Sequence, residues 1–236
     1  MPENTYVRVR VAGPYACFSR PEMKVERVSY EVMTPSAARG VLDSILWRPE
    51  MRWVVRRIEV LRPIRFISVR RNELQSKIAP TTVQKWMRDP AGYQPHAAGA
   101  GSGDNTPRNT LALRDVAYVI EAEPRVFAPN GENTPTKYMA MFNRRVEKGQ
   151  CFQQPYLGCR EFASSFSLPD QAEKPVDIGI ELGMMLYDIV FDRETGQNRP
   201  IFFKANVVGG ILDTRPEIAL PDAAQREEVL ACSSKP

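Results

Sequence analysis

At 236 residues, with 43% hydrophobic and 25% charged residues, the chain has an ordinary globular composition and enough length for one large core or two smaller ones. It has no run of 18 apolar residues and no basic-then-apolar leader, and its four cysteines (Cys17, Cys151, Cys159, Cys232) form no CxxC pair. A membrane span, a signal peptide, a zinc site and a disulfide framework are therefore not expected, and a cytoplasmic protein with reduced thiols is.

The net charge of +4 is unevenly placed. Residues 1–168 carry 25 Lys/Arg against 16 Asp/Glu, and residues 169–236 carry 7 against 12. The segment Arg52 to Arg88 alone has ten basic residues and two acidic ones. Such a basic N-terminal part suits a polyanion partner; a solvated surface with incidental bias is the plainer alternative, and composition does not choose between them.

In chain order, Tyr6 to Val11 alternates, with Val7, Val9 and Val11 on one face and Arg8 and Arg10 on the other, which predicts a half-buried strand. A basic loop, Ser19 to Arg27, leads on to an amphipathic helix at Pro35–Trp47. Thr34 stands at the N-cap, Pro35 at the first helical position, and Val41, Leu42, Ile45 and Leu46 follow at helical spacing. Arg52–Leu61 and Ile64–Val69 read as strands, the first stopped by Pro63. Ala91 to Pro107 is dominated by Gly, Ala, Ser and Pro and reads as a mobile loop. Thr110–Phe127 is a long β-rich run, expected to break at Pro124. Pro135–Lys148 is a second amphipathic helix with Met139, Phe142 and Val146 on its apolar side, and a strand is expected at Tyr156–Phe162.

The order β-α-β-β-(insert)-β-α resembles a ferredoxin-like, RNA-recognition-motif unit. The fold class expected is therefore α+β: a ferredoxin-like RNA-binding domain over 1–168 with an inserted basic hairpin and a flexible loop at about 91–107. A small β-rich C-terminal domain over 177–220 and a frayed tail at 221–236 should follow. Gly209-Gly210 reads as a turn before a strand at Ile211.

The chemistry-bearing residues are few. The one histidine, His96, falls in the flexible loop, a poor place for a general base. Carboxylates are spread singly, with no DxD cluster, and no Walker A, GxSxG or dinucleotide fingerprint occurs, so neither a metal nor an organic cofactor is expected. Thr134-Pro135-Thr136-Lys137-Tyr138 is the better constellation. A helix N-terminus offers free N–H groups, and a lysine in its first turn opposes the helix dipole unless an anion lies nearby. A solvent-facing Lys137 and a half-buried Tyr138 without a role are the plainer alternative. RNA can be cut with little more than this, because its own 2′-hydroxyl attacks the adjacent phosphate while the protein aligns it and stabilises the charge. The candidate RNA-contacting residues are Arg8, Arg20, Lys24, Arg27, Arg56, Arg65, Arg70, Arg71, Lys77, Arg144 and Arg145. Of these, Arg65 to Lys77 is read as a basic projection, or more plainly as an exposed hairpin.

The blocks YACFSRPEMKVERVSYEVMTPSAARGVLDSILWRP, VRRNELQSKI, LRDVAYVIEA and QQPYLGCREF, and more loosely YDIVFD and FFKANVVGGI, resemble the CRISPR-associated "Cas-five" family of subtype I-C (Dvulg). That resemblance covers nearly the whole chain in the right order. It implies ferredoxin-like architecture and metal-independent endonuclease cleavage of precursor CRISPR RNA (crRNA) within its repeat. It also implies retention of the 5′ handle as a subunit of the Cascade complex, beside backbone and large subunits and reaching target DNA only through that complex. The family pattern has a Tyr or His before the Trp that ends the first helix, and a Lys-His pair opening the second. Here Leu46 precedes Trp47, Lys137 matches, and Tyr138 replaces the His. The resemblance thus carries over one of three catalytic positions. A handle-capping subunit with a degenerate site is the alternative, and a generic RNA-recognition-motif protein a more distant one.

Overall fold

The computed structural model describes residues 6–23, 25–74, 76–93, 103, 105–191 and 197–231. Its frame is one sheet of nine strands in the order β6-β1-β5-β3-β9-β8-β7, with β2 and β4 also paired to β5. β1 (Val7–Ala16) lies antiparallel to β5 (Thr106–Val126), Val7 opposite Ala122 and Ala16 opposite Leu113. β3 (Met51–Val60) takes the other edge of β5, from Met51↔Val126 to Val60↔Tyr118, and β4 (Phe66–Glu73) continues along it from Phe66↔Leu113 to Glu73↔Thr106. The pairing of β2 (Arg27–Val28) with β5 is parallel; the other ladders are antiparallel.

Two helices cover the centre of this sheet. α1 (Pro35–Ile45) is capped by Thr34, whose Oγ1 accepts the Ala37 N–H at 3.3 Å, and it buries Ala38, Val41, Leu42 and Ile45. Those positions recur every three to four residues, so one stripe faces the core. α3 (Pro135–Glu147) repeats the device with Thr134 and buries Tyr138, Phe142 and Val146. Val7, Val9 and Val11 lie beneath, their alternation with Arg8 and Arg10 kept as read from the sequence. α2 (Pro80–Arg88), not anticipated, buries none of its residues; Pro80 starts it and Lys85 and Arg88 sit in its last turn, where the dipole favours cations.

Several expectations are corrected. Pro124 does not interrupt β5. It lies past the last β1 partner, Ala122, so β3 alone flanks it and a missing N–H on the open side costs no ladder bond. Tyr156–Phe162 is not a strand but a turn closed by a Tyr156–Ala163 bridge. Gly158 takes φ +83° there, so close to β1 that a Cβ would lie 2.0 Å from the Cys17 carbonyl oxygen. The strand comes later, as β6 (Ser165–Ser167) on β1. β7 (Ile180–Phe191) and β8 (Asn198–Val208) are paired and β9 (Ile211–Asp213) follows after the Gly209-Gly210 turn. β9 pairs with β3, so these strands extend the main sheet, and Met185, Phe203 and Leu212 share the apolar cluster of Val9 and Ile120. After α4 (Pro216–Ala219), the tail is not frayed through residue 231. α5 (Ala223–Leu230) is capped by Asp222 and anchored by the buried Val229. His96 and most of the Gly/Ala/Ser stretch lie outside the described residues.

Candidate nucleic-acid interface

Two helix ends meet at one place. α1 stops because Leu46 turns extended and Pro49 keeps Arg48 from the helical region. Three carbonyls at this end find partners outside the helix. Ser44 O accepts the Phe152 and Gln153 N–H groups at 2.8 and 3.2 Å, Ile45 O accepts Arg145 Nη1 at 2.5 Å, and Leu46 O accepts the Trp53 indole at 2.8 Å. Trp53 in turn packs edge-on against Phe142 of α3, 4.9 Å between centroids, which with the Arg145–Ile45 O bond sets the later turns of α3 beside the end of α1.

At the start of α3, Pro135 has no N–H, and Thr134 Oγ1 accepts the Lys137 N–H at 3.3 Å. The Lys137 side chain is exposed, makes no ion pair among the described residues, and holds its Nζ 5.6 Å from the Tyr138 ring centre. No acidic residue occupies the first turn. An unpaired ammonium against the positive end of a helix forms a local anion site. Tyr138 is only 2% exposed and its hydroxyl donates to Asn133 Oδ1 at 2.9 Å. Burial, with the Glu50 carboxylate adding and Arg48 opposing, pushes this phenol above its ordinary value, so at neutral pH it carries its proton. Leu46 is wholly buried and cannot reach solvent. Trp47 and Phe152, by contrast, stand 54% and 79% exposed, Phe152 donating its N–H to Ser44 O near the end of α1.

The basic residues singled out from sequence do not form one row. Arg8 binds Glu59 at 2.5 Å, and Arg56 binds Glu123 at 2.9 Å and Glu217 at 3.4 Å. Arg20 binds Glu31 at 2.9 Å and lies 4.3 Å above the Tyr30 ring. Arg27 and Arg71 converge on Glu161 from β2 and β4, and Arg145 is spent on Ile45 O. The Arg27 guanidinium also reaches the Cys159 sulfur at 3.6 Å; with the hydrogen bond from Cys17 it holds that thiol below the usual range, while the Cys17 thiol is pushed up. Arg70, Lys77 and Arg144 are exposed, Arg65 has only a 3.8 Å approach to Asp115, and Lys24 lies outside the described residues.

A second basic place was not singled out. Between the end of β3 and the start of β4, the chain Leu61–Arg65 passes β5 where Asp115 takes a left-handed φ of 52°. An open cleft of about 800 Å³ lies there, with Arg10, Arg62, Arg65 and Arg114 around a floor of Ala12, Gly13 and Ala117. Glu173 answers two of these arginines, reaching Arg10 Nη2 at 3.0 Å and Arg62 at 3.3 Å; Arg114 is exposed. The Leu-Arg-Pro-Ile-Arg run between two strands was the signal available in sequence.

Comparison with known proteins gives a consistent result. The family model described as CRISPR-associated protein Cas5, in its Cas5d form, matches residues 6–213. A protein of Mannheimia succiniciproducens named CRISPR pre-crRNA endoribonuclease Cas5d is 46% identical over 219 residues, 89% of this chain and 95% of that one. A protein of Thermus thermophilus with the same name is 39% identical over 227 residues, 89% of this chain and 92% of that one. Among solved structures, a functionally uncharacterized protein of Streptococcus mutans, SMU1763c, aligns with a TM-score of 0.62 at 18% identity, covering 91% of this chain and 95% of its own. A CRISPR-associated protein aligns at 0.60 and 23% identity, covering 88% and 90%. These two likenesses bear on the fold alone.

Proposed function

This chain belongs to the Cas5d family of CRISPR-associated proteins, and we propose from that premise that it is an endoribonuclease of precursor CRISPR RNA. After cutting, it keeps the 5′ handle as a subunit of a type I-C Cascade complex, beside backbone and large subunits. The observation that carries the activity is its 46% identity to a named pre-crRNA endoribonuclease across 89% of its length. The path β1-α1-β3-β5-α3-β6, with strand order β6-β1-β5-β3, supports a ferredoxin-like reading of its core.

The mechanism needs no group from outside the RNA as nucleophile. The 2′-hydroxyl oxygen attacks the adjacent phosphorus, the P–O5′ bond breaks, and the products are a 2′,3′-cyclic phosphate and a 5′-hydroxyl end. Charge builds on the non-bridging oxygens of the phosphorane. Lys137, exposed and free of carboxylates at the α3 N-terminus, is the cation suited to meet it, with the first-turn dipole aligned. Tyr138, standing where the family has a histidine, is a proton donor rather than a base at neutral pH. It holds Asn133, and Asn130 Oδ1 accepts the Glu132 and Asn133 N–H groups at 2.9 and 2.7 Å, which braces the loop leading into α3. The arginine cleft at β5 is the surface best suited to the handle's phosphates.

One observation favours a second reading. Leu46 and Tyr138, two of the three family positions, are buried and supply no base. A subunit that caps the handle without cutting would have this appearance. Incubating the purified chain with labelled repeat RNA in EDTA separates the two: a cut with a cyclic-phosphate end supports the enzyme, and tight binding without cleavage supports the cap.

A further inference from the structure

Cys17 and Cys159 stand 142 residues apart in the chain and side by side in the fold. Cys17 follows the end of β1, and its N–H donates to Leu157 O at 3.0 Å. Gly158 brings the next stretch of backbone against the Cys17 carbonyl, where a Cβ would clash. The Cys159 thiol then lies 3.8 Å from Cys17 O, and the two thiols are hydrogen-bonded to each other. Neither is in a disulfide. With Ala112 they form a small buried cluster apart from the main core, with Ile67 and Phe162 packed against it.

The charges round this cluster are not those of an inert pair. Apolar burial by itself raises a thiol and leaves it unreactive. Here Arg27 of β2 holds its Nη1 3.6 Å from Cys159 Sγ, and Arg71 of β4 adds a second positive field. The carboxylates facing these arginines are Glu161, which both reach, and Glu73, 3.6 Å from Arg27; Ser19 Oγ lies 3.6 Å from Cys17 Sγ. The hydrogen bond from Cys17, with the two guanidiniums, holds the Cys159 thiol below its ordinary 9.0, while that same bond and burial keep Cys17 protonated. A thiolate beside a protonated thiol is the arrangement of an attacking sulfur and a resolving one. Cys159 keeps 8% of its surface and Cys17 none, so a small oxidant meets Cys159 first.

We propose that Cys159 is a peroxide-reactive site and that Cys17 resolves its oxidised form as a reversible disulfide. The Cys159 thiolate attacks one oxygen of hydrogen peroxide, the O–O bond breaks, and the departing hydroxide takes up a proton as water. The sulfur is thereby oxidised to a sulfenic acid. The Cys17 sulfur then attacks the Cys159 sulfur; the S–S bond forms, the S–O bond breaks, and hydroxide leaves as water with the Cys17 proton. A dithiol reductant restores both thiols. The bond would tie the end of β1 to the Tyr156–Ala163 turn and take away the negative sulfur that Arg27 faces. None of this depends on RNA binding or cleavage.

The test uses the purified full chain, treated with stoichiometric hydrogen peroxide near neutral pH, then unfolded, alkylated and mapped by mass spectrometry. A cross-linked peptide joining Cys17 to Cys159 should appear and should vanish with dithiothreitol, while Cys151 stays alkylated. Cys151 is more exposed than either, so a reaction governed by exposure alone takes it first. In Cys17→Ser, Cys159 should persist as a sulfenic acid that dimedone traps. The oxidation rate of the parent should level off below pH 9.0, the ordinary thiol value, and Arg27→Gln should slow it at neutral pH. The oxidised chain should melt about 5–15 °C above the reduced one, since the bridge closes a long loop. The proposal is overturned if no Cys17–Cys159 peptide forms, if Cys151 is oxidised first, or if Arg27→Gln reacts as fast as the parent. A lower melting temperature on oxidation would equally overturn it, by showing that the bond forms only in a distorted chain. Should Cys17→Ser fail to fold, the peptide map of the unsubstituted chain decides by itself.

Discussion

Replacing Lys137 by alanine separates catalysis from folding more cleanly than any other change in this chain. The side chain is exposed, its ammonium has no carboxylate partner among the described residues, and its one recorded contact is the Tyr138 ring at 5.6 Å. Losing an exposed cation–π contact costs about 0.5–1 kcal/mol. Removing a cation from the third helical position relieves a dipole repulsion of about 0.3–1 kcal/mol. The two nearly cancel, so stability should be unchanged. Catalysis has no such compensation. If the ammonium meets charge that exists only in the phosphorane, its loss resembles removal of one oxyanion donor, about 2.7–4 kcal/mol, or a hundred- to thousandfold in rate. Single-turnover cleavage of end-labelled repeat RNA in EDTA measures the rate, thermal unfolding measures stability, and filter binding measures affinity. A stable variant that binds and cuts as fast as the parent would refute the placement of the site at the α3 N-terminus.

The buried Asp188 carboxylate bridges Arg39 and Arg52 at 2.6 Å each, while Asp43 also reaches Arg39 at 3.4 Å, so Asp188→Leu, which removes the carboxylate shared by two guanidiniums, should destabilise by up to about 3–5 kcal/mol in urea unfolding; an unchanged midpoint would show that the cluster is solvated. The hydrogen bond from Arg10 holds Glu173 below its ordinary 4.5. Its depressed value contributes stability above about pH 4.5 that is lost as pH falls below it toward the folded value, and Glu173→Gln should flatten the acid limb of a stability-against-pH curve. In the cleft, Arg62→Ala and Arg114→Ala should each reduce the slope of log affinity against log salt by about 0.7, as expected for one single-stranded phosphate contact; slopes equal to the parent's would move the RNA track elsewhere.

Local sequence determined a good deal. Thr34-Pro35 and Thr134-Pro135 mark both covering helices to within a few residues, because a cap is a contact between a side chain and a backbone three residues away. The Val7-Val9-Val11 alternation marks strand β1 for an equally local reason, and the order of the sequence blocks points to the family. The candidate site was legible only in part. Thr134–Tyr138 reads as an anion-binding helix start from sequence, but that Tyr138 is turned into the apolar core, with its hydroxyl on Asn133, is decided by tertiary packing.

What tertiary structure alone decided is which charges are free. Arg8 and Arg56 look available in sequence, yet each is taken by a glutamate of the same sheet, Arg8 by one on β3, across β5, 51 residues away and Arg56 by one on β5 67 away. Arg10 is met by Glu173 across 163 residues, and Arg62, just past the end of β3, joins them at 3.3 Å. Ion pairing acts through space over a few ångströms. A sheet that sets β1, β3 and β5 side by side makes neighbours of residues that no local window of sequence contains, and β9 joins β3 for the same reason.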